Sequence, residues 1–92
     1  MIESHNYTQA ARRVGKFFIG VEMIRRHPEA VQDVMAQCII LQAEYSFVSD
    51  SIVYIALSEW FDMVEPKQKI PEYDMFVTLH KNGDVNIRAE KI

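Results

Sequence analysis

Cysteine is almost missing from this chain: Cys38 stands alone among 92 residues. An intramolecular disulfide is therefore excluded, and a reducing compartment, the cytoplasm, is the expected location. In its apolar stretch Cys38 reads as a buried, inert thiol. One cysteine and three histidines in unrelated segments (His5, His27, His80) offer no metal-ligand spacing, so neither metal nor other cofactor is expected. Glycine is scarce too, with three in the chain, and no glycine-rich phosphate loop can be drawn through them. No run approaches the ~18 apolar residues that a bilayer-spanning helix needs. Met1–His5 lacks a basic region followed by an apolar one, so no secretory signal and no membrane partner are expected.

What the chain does have is ordinary globular composition, 49% hydrophobic and 25% charged. At this length a second core is out of reach, so residues 1–92 are read as a single domain. Charge is unevenly spread. Residues 1–27 hold five basic and two acidic side chains, whereas residues 28–92 hold five and eleven. Arg12, Arg13 and Lys16 on one side, and Glu59, Asp62 and Glu65 on the other, are thus candidates for electrostatic contact with a partner. Net charge is −3 and no helix-turn-helix or RNA-binding signature is present, so nucleic acid is not the expected partner.

Ile52–Leu57 is the organising stretch, six uncharged and mostly apolar residues rich in β-branched and aromatic types. It reads as a strand buried on both faces. Ahead of it, Tyr7, Ala10, Ala11, Val14, Phe17, Phe18, Val21 and Ile24 recur at helical spacing. They predict a first helix, capped by Asn6 or Thr8, that runs to Arg26. His27-Pro28 ends it, and Pro28 opens a shorter helix whose apolar side is Val31, Val34, Met35 and Cys38. From Ile39 the period becomes two, which predicts a strand turning at Ser49-Asp50 into Ile52–Leu57. That turn pairs Phe47 with Ile52, Tyr45 with Tyr54 and Ala43 with Ala56.

Residues 58–72 read as an ordered loop lying against the domain. A final hairpin follows, Tyr73–His80 with Val85–Lys91. The Asn-Gly at 82–83 alone favours a two-residue turn. The hydrophobic pattern instead favours a three-residue loop with Gly83 left-handed, which pairs Leu79 with Val85, Val77 with Ile87 and Met75 with Ala89. The expected fold is α+β in two layers, two N-terminal helices packed on a four-stranded antiparallel meander.

Candidate chemistry is sparse. His80 opposite Asp84 has the makings of a base with an orienting carboxylate, and Asp74 opposite Glu90 of a proton-sharing pair. No nucleophile is placed beside either, and mixed polar residues are usual on hairpin surfaces. The stronger candidate is an interface. If Tyr54 and Ala56 face the helices, then Val53, Ile55 and Leu57 emerge on the other side of the sheet with Phe76 nearby, and Trp60 and Phe61 leave from the same strand end. These residues imply a non-enzymatic interaction module that pairs with itself as a two-fold dimer and occupies a surface on another protein. A small inhibitor or adaptor of the sort encoded by phages or mobile elements works in this way. The alternative is a ligand-binding or enzymatic domain whose pocket, between sheet and helix, is lined by Tyr45, Tyr54, Trp60 and Tyr73.

Overall fold

The computed structural model describes residues 12–92. It is a small α+β fold in the order β1 (Val14–Gly20), α1 (Val21–Arg26), α2 (Pro28–Ala36), β2 (Ile39–Ser46), β3 (Ser51–Leu57), β4 (Tyr73–Leu79) and β5 (Val85–Lys91). The strands form two antiparallel sheets, one ordered β1-β3-β2 and the other the β4-β5 hairpin.

The first correction falls on the long amino-terminal helix. Its cap and residues Tyr7, Ala10 and Ala11 lie outside the described residues, but Val14–Gly20 is a strand. Burial alternates there: Gly15, Phe17 and Ile19 are inside, and Lys16, Phe18 and Gly20 are more open. Both periods are present in this sequence. The strand wins because Val14, Phe17, Phe18 and Ile19 are β-branched or aromatic, and two glycines each cost a helix up to ~1 kcal/mol. β3 then supplies a partner for all seven residues, from Val14 opposite Leu57 to Gly20 opposite Ser51. Beyond β1 the expected helix survives as Val21–Arg26, ending at His27, and Pro28 opens α2 as expected.

The second correction follows from the first. β1 occupies the flank of β3 that a meander would give to β4. Residues 58–72 instead cross beside β1, held by hydrogen bonds from Ser58 N–H to the Arg13 carbonyl (3.0 Å), Val64 N–H to Arg12 (2.8 Å) and Lys16 N–H to Pro71 (3.0 Å). Among the described residues one isolated parallel bridge, Lys16 with Glu72, joins β1 to the residue before β4. β4 and β1 then diverge.

One face of the β1-β3-β2 sheet carries the core. Phe17, Ile19 and Ala56 meet Val34 of α2, Phe61 of the crossing loop and Tyr73 of β4. Phe17, Ala56 and Phe61 are completely buried. Phe17 stacks on Tyr54 at 5.3 Å and Phe61 packs on Tyr73 at 4.6 Å between ring centroids. Val31, Met35 and Cys38 pack at the margin, so the apolar side expected of α2 is the one it buries. The final hairpin has the expected three-residue loop, with Leu79 opposite Val85, Val77 opposite Ile87, Met75 opposite Ala89 and Gly83 at φ 91°.

The β2–β3 turn departs by two residues. Tyr45 pairs with Ile52 and Ala43 with Tyr54, leaving Phe47–Asp50 as a four-residue turn. From Gln42 onward each side chain keeps its expected face, because a shift of two preserves parity. Before it, the irregularity at Leu41 sets Ile40 opposite Ala56 and Ile39 opposite Leu57, the reverse of the expected alternation. Asp50 takes φ 48°, its carboxylate accepts the Tyr45 hydroxyl at 2.8 Å, and its carbonyl accepts Val21 N–H at 3.0 Å. These contacts hold the wider turn.

Candidate functional site

β2 is an edge strand. It hydrogen-bonds to β3 on one side, and among the described residues no strand pairs its other side. Ile39–Tyr45 are all exposed, on both faces. Ile39 is 66%, Leu41 56%, Phe47 85% and Val48 97% accessible. The ladder breaks once, between Ile40 and Gln42, where Leu41 is an extra residue forming a bulge. Edge strands are usually protected by lysine, proline, bulges or a covering element. Here the strand has the bulge and one charge, Glu44.

Sequence patterning pointed elsewhere, to the outer face of β3. Val53, Ile55 and Leu57 do share one face, opposite the core, and are half-buried rather than open. Phe18 joins them from β1, opposite Val53. Phe76 is exposed on β4, with the Arg88 guanidinium 4.9 Å from its ring centroid. Trp60 is half-buried against the core. Phe61 lies wholly inside its own chain, so it presents no surface to a partner. The edge does carry a signal in the sequence. Ile39-Ile40-Leu41 and Phe47-Val48 are apolar at both parities, which a half-buried strand with a covered face does not need.

Phe18, Gly20, Met23, Val31, Met75 and Phe76 border an apolar groove of ≈ 380 Å³ where β1 and β4 diverge. None of the four aromatics expected to line a pocket lines it. Tyr45 is on the exposed edge, Tyr54 stacks on Phe17, Trp60 lies against Phe61, and the Tyr73 hydroxyl accepts Asp62 N–H at 2.9 Å.

Among the described residues most of the charged candidates find partners within the chain, though only Arg12 and Glu65 meet each other. Arg12 pairs with Glu65 at 3.6 Å, Asp62 with Lys91 at 3.5 Å and Lys16 with Glu72 at 3.6 Å. Arg13 donates to the Phe61 carbonyl at 3.0 Å, and Glu59 is exposed. Such surface pairs are worth ~0–1 kcal/mol each, enough to bias the crossing loop onto β1 without fixing it. On the hairpin, Asp84 turns to the Asn82 amide at 3.0 Å, while His80 Nε2 lies 2.9 Å from the Asn86 amide. His80 and Asp84 are therefore not arranged as base and orienting carboxylate. Glu90 pairs with Arg88 at 2.8 Å, across from Asp74. No group of three or more His, Cys, Asp or Glu gathers among the described residues, and none of the described helices is long and apolar enough to cross a membrane.

Burial raises the Cys38 thiol pKa above its ordinary value, with a Ser58 hydrogen bond acting in the opposite sense. The Tyr45 hydroxyl is raised chiefly by its bond to Asp50, and that of Tyr54 by burial. All three shifts favour the neutral form, the reverse of what an activated nucleophile requires.

No protein-family model matches the sequence, and comparison with curated proteins and with solved structures found no match.

Proposed function

We propose that this chain is a non-enzymatic protein-interaction module that associates with itself and acts by occupying a surface on another polypeptide. One observation carries the reading. Of eleven exposed large hydrophobic residues among those described, six (Ile39, Ile40, Leu41, Tyr45, Phe47 and Val48) fall within ten consecutive positions on and beside the open edge strand. Scattered apolar residues are normal on a protein surface, whereas a concentration at an unpaired strand edge marks a docking site. Strand addition fits such a surface, with the backbone supplying hydrogen bonds and alternate side chains supplying selectivity.

Light scattering after size exclusion tests it. The mass expected at tens of micromolar is about twice the 10.7 kDa of one chain, returning to one chain in Leu41→Lys. A wild-type mass of one chain across that range would count against the reading.

A second reading, an apolar small ligand in the groove between β1 and β4, rests on the lining of that groove by Phe18, Met23, Val31, Met75 and Phe76. An environment-sensitive apolar dye that binds the wild type and not Val31→Trp would favour it.

A further inference from the structure

We propose that the polypeptide docked on β2 is β2 of a second copy, antiparallel about a two-fold axis at Ala43, so that two three-stranded sheets join into one of six strands. This rests on the self-association proposed above and adds its partner strand and register.

The area is sufficient. An aromatic side chain presents about 200 Å² and an aliphatic one about 100 Å², so the exposed fractions of the six residues amount to roughly 500 Å² of apolar surface. A homodimer of standard size takes about 800 Å² from each copy, about two-thirds of it apolar. Fully covered, this ten-residue segment supplies the apolar share of a stable two-fold contact, so roughly 500 Å² is its upper bound.

The strand is also self-complementary in one register. Turned antiparallel about Ala43, it sets Ala43 against Ala43, Gln42 against Glu44 and Leu41 against Tyr45. The small alanines meet at the axis. The one carboxylate in the strand faces an amide that can donate to it, and the two larger apolar residues cover each other. An axis at Glu44 sets two carboxylates side by side, and an axis at Gln42 sets Glu44 against Ile40, so both alternatives are poorer. The bulge at Leu41 ends the regular ladder on one side and the turn at Phe47 ends it on the other. The pairing is confined to a short central stretch, with Ile39, Phe47 and Val48 left to pack around it.

Cysteine pairing reads the register directly. Residues facing each other at the axis have Cα atoms about 4.5–5.5 Å apart, inside the ~4.4–6.8 Å range of a disulfide. In this register the two copies of Ser46 are offset by six residues, about 20 Å along the strands. In a Cys38→Ser background, Ala43→Cys is expected to form an intermolecular disulfide under mild oxidation at least about ten-fold faster than Ser46→Cys. Light scattering of the reduced variants is measured in parallel. A dimer in which Ser46→Cys cross-links as fast as, or faster than, Ala43→Cys overturns the register and leaves self-association standing. Variants and wild type that are all monomeric at tens of micromolar overturn both. Ala43→Arg, which sets two cations together at the axis, is expected to weaken association by about ten-fold or more; an unchanged dimer contradicts the placement of the axis.

Discussion

The ring of Phe61 occupies the place where a β-carbon on residue 15 would stand: an ideal Cβ built on Gly15 meets three ring carbons at 2.7–2.9 Å. β1 has a glycine at this position because the crossing loop drives a wholly buried aromatic ring against its backbone. Gly15→Ala is therefore expected to cost about 1–3 kcal/mol by overpacking, read as a lower urea midpoint. The double variant Gly15→Ala/Phe61→Leu is expected to lose less than the sum of the two single changes, since each relieves the other. Strict additivity would show that the two residues do not collide.

Gly83 makes a different demand. Its φ of 91° closes the three-residue loop of the final hairpin, and an added β-carbon there meets no neighbouring atom. Gly83→Ala is expected to cost about 1–2 kcal/mol through backbone conformation alone. The same substitution at Gly20, with φ of −64° and open space around it, should leave the midpoint within about 0.5 kcal/mol. Equal effects at the two sites would argue against the left-handed turn.

The hairpin shows how far the sequence could be read. Its loop length and register followed from requiring Val77, Leu79, Val85 and Ile87 to share a face, and that local rule was enough. β1 was not legible in the same way. Val14, Phe17, Phe18, Val21 and Ile24 satisfy a helical stripe, and the competing strand period decides only once β3 offers an edge to pair with. The placement of β4 was lost with it, because the flank of β3 was already taken. At the candidate site, Val53, Ile55 and Leu57 were rightly put on the face away from the core, but which strand would be left at the edge is a property of sheet order. Phe61 could not be told from a surface aromatic without knowing that Gly15 would lie beneath it.

The alkaline side of the stability curve follows from the raised pKa values. A thiol or phenol whose pKa is higher in the folded chain holds its proton more tightly there than when unfolded. Its contribution is unchanged below the unfolded value and declines as pH rises past it. For Cys38 the decline begins above 9.0, and for Tyr54 above 10.0. The urea midpoint is expected to fall over that window, and the fall just above 9.0 should shrink in Cys38→Ser. At neutral pH iodoacetamide should modify Cys38 more slowly in the folded chain than in urea. Faster modification of the folded chain would mean an activated thiol, contrary to the burial that raises it.

Two single substitutions separate the two apolar surfaces. Leu41→Lys adds a charge to an exposed bulge and is expected to weaken self-association about ten-fold or more while moving the urea midpoint by less than about 0.5 kcal/mol. Leu57→Asp puts a carboxylate on a half-buried position between Val14 and Ile39, and should cost about 1–3 kcal/mol of stability without a comparable change in association. The reverse outcome would move the interface to the outer face of β3.

Amide hydrogen exchange over Ile39–Val48, followed at low and high protein concentration, tests most directly whether the β2 edge is where two copies meet. The account predicts that amides in Leu41–Tyr45 exchange markedly more slowly at the concentration where the mass doubles, with the β4-β5 hairpin unchanged. Doubling of the mass with no added protection in this strand would contradict it.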